Sequence, residues 1–150
     1  MNRPLVQTDT AAWVLQVWIS FGIALAAAGY GVFNLTVDWW VKGFVGMGYL
    51  FSIASTFTLA KTIRDNRYYR TDTSAWILQV WISFGLAVLL TAAGVLRLPV
   101  EFWVRGYLGV GLFFALASSF TLAKTIRDND EANQLLLQMN GPAQPAPAQP

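Results

Sequence analysis

The residues best suited to chemistry are charged, and they occur twice in the segment Lys-Thr-Ile-Arg-Asp-Asn, at 61–66 and again at 124–129. A Lys and an Arg three residues apart lie on one side of a helix, so each segment presents two cations beside a carboxylate. Two interpretations remain open. The segment is either a helix end that contacts anionic lipid headgroups, at about 1 kcal/mol for each base, or a docking surface for a cytoplasmic partner. The residues concerned are Lys61, Arg64, Asp65, Lys124, Arg127 and Asp128.

Two glutamines are the only long polar side chains well inside the apolar stretches. Gln16 and Gln79 lie near the depth expected for Thr56 and Ser119. We expect interhelical hydrogen bonds among these four residues, each contributing roughly 0.6 and at most about 2 kcal/mol. Such bonds would fix the helix register within each pair, and a ligand-binding role for the glutamines is the alternative.

Catalytic and metal-binding side chains are scarce. The chain has no histidine and no cysteine, which removes the commonest acid–base catalyst, the commonest metal ligand and all thiol chemistry. No carboxylate lies within the apolar stretches, so the usual nucleophile–base and metal constellations cannot be assembled there. We therefore predict no catalytic residue, no metal site and no cofactor. The net charge of +2 is too small to indicate a nucleic-acid partner.

Charge is also distributed unevenly along the chain. Only 12% of the 150 residues are charged, against about 25% in a soluble domain, and four runs carry no charge at all. Those runs are 10–37, 43–60, 73–96 and 106–123. Each approaches or exceeds the roughly 20 residues that cross the hydrocarbon core. A soluble helix bundle would need a charged outer face on each helix, and none of these runs offers one. The pattern predicts an all-α membrane protein with four transmembrane helices.

The chain repeats itself. A shift of 63 residues aligns 8–66 with 71–129 without a gap, and 36 of the 59 positions are identical. Because each repeat crosses twice, both enter from the same face, and the two-helix repeats should be parallel, related by a pseudo-two-fold axis along the membrane normal. The predicted organisation is an N-terminal cytoplasmic segment 1–9, a first repeat 10–66, a cytoplasmic linker 67–72, a second repeat 73–129 and a cytoplasmic tail 130–150. Residues 130–139 are suited to a short polar helix, and the Pro/Ala/Gln composition predicts disorder from 141.

Orientation follows from the basic residues near the helix ends. The side with both termini carries Arg3, Lys61, Arg64, Arg67, Arg70, Lys124 and Arg127, and the opposite side carries Lys42, Arg97 and Arg105. The excess of positive charge predicts that both termini are cytoplasmic.

Small residues recur every four positions along each apolar run. Gly48, Ser52 and Thr56 form such a row on the second helix, and Ala24 and Ala28 belong to one on the first. Such rows let helices approach closely in lipid, so we predict packing seams. The alternative is the lining of a narrow pathway, and the sequence leaves open whether the seams pair within or between repeats.

The helix ends carry recognisable signals. Asp9–Thr10 and Asp72–Thr73 precede the odd-numbered helices, and we expect a short side-chain oxygen of each pair to cap the helix start. Asp38 lies four residues before Lys42, as Glu101 does before Arg105, and this spacing predicts an intrahelical ion pair worth a few tenths of a kcal/mol.

The repeated unit resembles the YiaA/YiaB two-helix domain of bacterial inner-membrane proteins. The motifs that carry the resemblance are Lys42-Gly43-Phe44 with Lys61-Thr62-Ile63-Arg64-Asp65, and Arg105-Gly106-Tyr107 with Lys124-Thr125-Ile126-Arg127-Asp128. The resemblance covers roughly residues 10–129 as a tandem pair. It implies a multi-pass protein of the bacterial cytoplasmic membrane, and it implies no particular activity and no catalytic or binding residues.

Three classes of function remain. The first is a non-enzymatic membrane protein that acts in the cell envelope through membrane lipids, a second copy of itself or another membrane protein. The second is a small passive channel or transporter, although ion-coupled transport usually needs an ionisable group within the bilayer. The third, an intramembrane enzyme, has no natural catalytic residue here. We predict the first class.

Overall fold

The computed structural model describes residues 9–68 and 72–140, and this part of the chain folds into four α-helices. They are α1 (Ala11–Phe33), α2 (Trp39–Tyr68), α3 (Ser74–Leu96) and α4 (Phe102–Asn140). All four are long and apolar enough to cross a membrane. The fold class is therefore that predicted from the charge-free runs. The predicted disorder from 141 onward falls outside the described residues.

The two odd-numbered helices begin at the predicted caps. The Thr10 side chain accepts a hydrogen bond from the Trp13 backbone N–H at 3.3 Å, and Thr73 accepts one from Trp76 at the same distance. Each threonine thereby satisfies one of the backbone donors that a helix start leaves without an intrahelical partner.

The short turns after α1 and α3 are held differently from the prediction. Lys42 Nζ donates to the carbonyl of Phe33 at 3.0 Å, and Arg105 reaches the equivalent carbonyl of Leu96 at 3.4 Å and that of Val100 at 3.0 Å. Neither base forms a salt bridge with the acid four residues before it, so the predicted Asp38–Lys42 and Glu101–Arg105 ion pairs are wrong. The carbonyls of a last helical turn have no intrahelical partner and lie at the negative end of the helix dipole, so they attract the cation.

The helices pair between the repeats. α1 packs chiefly along α4, α2 packs chiefly along α3, and α2 and α4 contact each other at the centre, while the two helices within a repeat touch little. Within their most apolar 18-residue windows, 39% of α2 and 33% of α4 is buried, against 17% for α1 and for α3. The centre of the bundle is therefore formed by α2 and α4, which come from different repeats. α1 packs beside α4 although it belongs to the same repeat as α2, and α3 packs beside α2 although it belongs to the same repeat as α4.

Contacts between the helices fix their directions. The Tyr49 hydroxyl on α2 donates to the Leu108 carbonyl near the start of α4, and farther along both helices Arg64 Nη1 lies 4.0 Å from Glu131 Oε1, so α2 and α4 run parallel. Gly31, near the end of α1, lies against Tyr107, near the start of α4, so these two helices are antiparallel. The parallel arrangement of the repeats is confirmed.

The bundle thus has two ends. The end with the starts of α1 and α3 and the Lys-Thr-Ile-Arg-Asp-Asn segments is called the basic end below. The end with the turns at 34–38 and 97–101 is called the turn end.

The seam of small residues is closely packed. A Cβ added at Gly48 would lie 2.6 Å from Thr91 Oγ1, so α2 and α3 approach through a glycine. Ser52, Thr56 and Ser119 are completely buried. The hydroxyls of Thr56 and Ser119 donate to carbonyls of their own helices at 2.8 and 2.6 Å, and Ser52 Oγ lies 3.4 Å from Thr91 Oγ1. The predicted packing seam is confirmed, and it pairs between the repeats.

The outer surface of the bundle is apolar. Trp18 and Trp81 are each 50% exposed, and Trp40 and Trp103 at the turn end are 87% and 81% exposed. Apolar surface on this scale suits hydrocarbon and the membrane interface.

α4 continues without a break through the predicted repeat boundary at Asn129, and it reaches Asn140. The predicted helix at 130–139 is therefore the last part of α4 and not a separate element. Ala132 in this extension is buried.

Candidate functional site

A cleft of about 510 Å³ opens between α2 and α4 at the basic end. Its lining is Phe57, Ala60, Lys61, Ile63 and Arg64 from the first repeat, with Phe120, Ala123, Lys124, Ile126, Arg127 and Asp130 from the second. Apart from Asp130, these residues form five pairs that are 63 positions apart. The cleft, called the basic cleft below, therefore straddles the pseudo-two-fold axis between the repeats.

The part of the basic cleft nearest the membrane centre is aromatic. Phe57 packs edge-to-face on Phe21, and Phe120 packs edge-to-face on Phe84, each with 6.0 Å between ring centroids. Edge-to-face packing is a favourable aromatic geometry. These contacts hold each floor residue against the first helix of its own repeat, and the cleft floor is fixed and apolar.

The rim of the basic cleft carries four cations. Arg64 Nε lies 2.9 Å from Asp65 Oδ1, and Arg127 lies 2.9 Å from Asp128 Oδ1. Lys124 Nζ is 3.5 Å from Asp128 Oδ2, and 71% of its side chain is exposed. No carboxylate among the described residues lies within 4.0 Å of Lys61 Nζ. The structure thus brings together all six residues that the repeated motif singled out.

One acidic residue connects the two halves of the rim. Glu131 Oε1 lies 3.8 Å from Arg127 Nε and 4.0 Å from Arg64 Nη1 across the α2–α4 boundary. Both pairs are partly solvent-exposed, so each contributes little to stability. Glu131 therefore lies between the two arginine side chains.

Most of the acidic residues lie beyond the basic cleft. A second cleft of about 500 Å³, farther from the membrane centre, is lined by Asp65, Asp130 and Glu131 together with both arginines. The lysines line only the basic cleft. An anion that approaches along the apolar floor therefore meets both lysines and both arginines, with Asp130 as the acidic residue in the lining of the basic cleft.

Sequence reasoning missed several of these residues. Phe57 and Phe120 precede the lysines by four positions, so helical spacing alone places them on the lysine side. Asp130 and Glu131 have Arg67 and Tyr68 at the equivalent positions of the first repeat. A comparison of the repeats just beyond their aligned boundary would have shown that the acids occur only once.

The predicted interhelical role of the glutamines is not what the structure shows. Gln16 and Gln79 are exposed, and neither side chain forms a hydrogen bond with a described residue. Gln79 lines a groove of about 200 Å³ beside Ser55 and Thr58. Thr56 and Ser119 lie inside the bundle and bond within their own helices, so the four predicted partners do not meet.

Polar contacts between helices come from other side chains. The Tyr107 hydroxyl donates to the Ala27 carbonyl at 2.7 Å, the Tyr49 hydroxyl donates to the Leu108 carbonyl, and Ser52 approaches Thr91. All three contacts join different repeats. They hold the repeats together.

The part of the chain that the structure describes contains no group of three or more acidic residues arranged to hold a metal ion. The arrangement that can bind something is the basic cleft. Its four cations can accept phosphate or carboxylate oxygens, since Arg and Lys both recognise such groups.

Four membrane-length helices with an apolar outer surface define a multi-pass α-helical membrane protein. Residues 13–65 and 76–128 each match the family model described as the yiaA/B two helix domain. The two matches cover more than half of the chain, so it belongs to the YiaA/YiaB family as a tandem pair of domains, as the motifs predicted. No curated protein and no solved structure matches the chain.

The family motif now has a structural explanation. The base that opens it, Lys42 or Arg105, caps the preceding helix of the same repeat. The aromatic residue two positions later, Phe44 or Tyr107, lies against a glycine of the other repeat. One short motif therefore closes the turn and also joins the repeats.

Proposed function

We propose that this protein is a non-enzymatic component of the bacterial inner membrane that binds anionic phospholipid headgroups in the basic cleft, on the cytoplasmic side. One observation carries the proposal: the repeats place four cations around one cleft whose deeper wall is apolar. Such a site matches the two parts of a phospholipid, an anionic headgroup and a hydrocarbon chain.

The position of the cations supports a lipid. Lys61 and Lys124 follow directly after the charge-free runs of α2 and α4, which places them at the level of the headgroups. Basic side chains between transmembrane helices on the cytoplasmic face are suited to anionic headgroups, at about 1 kcal/mol for each base near the surface.

Nearby carboxylates reduce this attraction without cancelling it. Asp65, Asp128 and Glu131 contact the arginines, and Asp128 contacts Lys124. A phosphate on the membrane side of the rim approaches the lysines first. The arginines can then add hydrogen bonds while they keep their carboxylate partners, since each guanidinium has five donors.

A soluble protein partner fits the cleft less well. The floor at Phe57 and Phe120 lies toward the membrane centre, where an acyl chain is present and a soluble protein is not. A partner that docked on the motif would contact mainly the rim, and the apolar wall would have no role.

The passive channel is the weaker alternative. Ser52, Thr56 and Ser119 are completely buried, as is Ala115. Three of these four residues carry hydroxyls that would border a polar pathway through the seam. A water path there would give them accessible surface, so their packing favours a closed bundle.

Lipid retention tests the proposal. The full-length protein would be purified in mild detergent from vesicles of phosphatidylcholine and phosphatidylglycerol. Native mass spectrometry would then identify and count the lipids that remain bound to it. We expect enrichment of phosphatidylglycerol over phosphatidylcholine. The double variant Lys61→Gln/Lys124→Gln should reduce that enrichment roughly tenfold or more, because two bases are lost.

Arg97→Gln is the matched control, since it removes an exposed cation from the turn end. It should retain phosphatidylglycerol as the wild type does. Equal retention of the two lipids by the wild type, or unchanged retention by the double variant, would rule out lipid binding in the basic cleft.

A further inference from the structure

The basic cleft has a symmetry that restricts its ligand. Its lining pairs Lys61 with Lys124 and Arg64 with Arg127 across the boundary between the repeats. Each repeat therefore supplies one Lys–Arg pair, one helical turn apart, to a single shared cavity. The two pairs line one cleft of about 510 Å³, a volume typical of a small-molecule site.

We propose that one phospholipid with two phosphates on a shared glycerol, a diphosphatidylglycerol, occupies the basic cleft with one phosphate on each Lys–Arg pair. The inference rests on the proposed function and names the lipid class. The two phosphatidyl halves of such a lipid are chemically equivalent, so the ligand has the same approximate two-fold symmetry as its site.

Binding both phosphates of one molecule is favoured over binding two separate lipids. Once the first phosphate is held, the second is present at a high effective concentration, and linked pairs of this kind gain about a hundredfold or more in affinity. Two phosphatidylglycerol molecules would also bring two headgroup glycerols into the same cleft, where a diphosphatidylglycerol brings one that its two phosphates share.

The site departs from symmetry in one respect. Asp130 and Glu131 belong to the second repeat alone, although the arginines have equivalent contacts: Arg64 lies near Asp65 and Glu131, and Arg127 lies near Asp128 and Glu131. The difference between the two halves therefore lies in the lysines. Lys124 also has Asp128 within 3.5 Å, whereas Lys61 has no described carboxylate within 4.0 Å. The Lys61–Arg64 pair is therefore less neutralised, and it should bind its phosphate more tightly.

The test compares two anionic lipids at equal total charge. The full-length protein would be placed in phosphatidylcholine nanodiscs that contain either diphosphatidylglycerol or phosphatidylglycerol, and the number of retained lipids would be read by native mass spectrometry. We expect one diphosphatidylglycerol for each chain, preferred over phosphatidylglycerol by at least about tenfold.

Single substitutions test the two halves of the site. Lys61→Gln should reduce retention of diphosphatidylglycerol more than Lys124→Gln does, and Arg97→Gln should leave it unchanged. All three positions are exposed, so the variants should match the wild type in size-exclusion elution and in thermal unfolding. A lysine variant that fails this check would be replaced by Lys61→Met or Lys124→Met.

The outcomes separate this inference from the proposed function. Diphosphatidylglycerol and phosphatidylglycerol could be retained equally at matched charge, and both could be lost in Lys61→Gln/Lys124→Gln. That result would overturn the two-phosphate ligand, and the proposal that the basic cleft binds anionic headgroups would stand. If Lys61→Gln and Lys124→Gln reduce retention equally, the inference that the Lys61–Arg64 pair binds its phosphate more tightly is wrong. Retention of neither anionic lipid above phosphatidylcholine overturns both proposals.

Discussion

The ring of Tyr107 in the second repeat covers Gly31 in the first, where an added Cβ would lie 2.6 Å from Tyr107 Cε1. The Tyr107 hydroxyl donates to the Ala27 carbonyl, so a shift of the ring would lengthen or break that hydrogen bond. The equivalent pair, Phe44 and Gly94, has the same arrangement, with 2.8 Å from the added Cβ to Phe44 Cε1. The two repeats are therefore joined at the turn end by two equivalent contacts of a ring with a glycine.

Gly31→Ala should destabilise the protein. Overpacking costs about 1–3 kcal/mol, which exceeds the gain of about 0.5–1 kcal/mol for alanine over glycine in a helix. Gly29→Ala is the matched control, since nothing lies within 4 Å of its added Cβ, and it should be neutral or stabilising. Thermal unfolding in detergent measures both. A Gly31→Ala protein as stable as the Gly29→Ala protein would contradict the close contact.

A designed disulfide tests the pairing between the repeats in a chain that has no cysteine of its own. A Cβ at position 48 would lie 3.3 Å from Thr91 Cβ, close to the separation of about 3.5–4.5 Å found in disulfides. Gly48→Cys with Thr91→Cys should therefore cross-link under oxidation. The linked halves should remain together on a denaturing gel after cleavage at a protease site in 67–72.

Gly22→Cys with Gly85→Cys is the control pair, because neither added Cβ has a neighbour within 4 Å. Cross-linking of the Gly48–Thr91 pair no faster than this control would mean that α2 and α3 do not pack together.

The Tyr49 hydroxyl is expected to stabilise the central helix pair. Tyr49→Phe removes its hydrogen bond to the Leu108 carbonyl and keeps the ring, so stability should fall by about 0.6–1.5 kcal/mol. Tyr30→Phe removes the hydroxyl of an exposed ring at 70% exposure and should have no effect. Unfolding curves that coincide for the two variants would show that the hydroxyl is not used.

Glu131 is expected to weaken anion binding, since its carboxylate contacts both Arg64 and Arg127. Glu131→Gln should raise the retention of anionic lipid by roughly two- to fivefold, a change of up to about 1 kcal/mol. Glu101→Gln, at the exposed turn end, is the charge-matched control and should change nothing. Reduced retention in Glu131→Gln would instead mean that Glu131 positions the arginines for the lipid.

The spans, the caps and the repeats could be predicted because each depends on local sequence. Thr10 and Thr73 cap as predicted, since a cap involves only neighbouring backbone. The pairing of the helices between repeats could not be predicted. Ala24 on the first helix and Ala87 on the third are equivalent small residues, so both arrangements satisfy the same pattern.

The error over the glutamines has a geometric cause. Gln16 and Ala28 belong to one row of residues four apart, but each step of four turns about 40° around a helix. Three steps turn about 120°, so Ala28 is buried while Gln16 is exposed. The buried residue at that depth is Val17.

Topology is the most direct test of the central claim, that the chain crosses the membrane four times with the basic cleft facing the cytoplasm. Single cysteines at Asn34 and Asn133, both exposed, would be treated with a membrane-impermeant maleimide in intact spheroplasts and again after lysis. We predict that Asn34→Cys is labelled in intact spheroplasts and that Asn133→Cys is labelled only after lysis. Labelling of Asn133→Cys before lysis, with Asn34→Cys protected, would contradict the account.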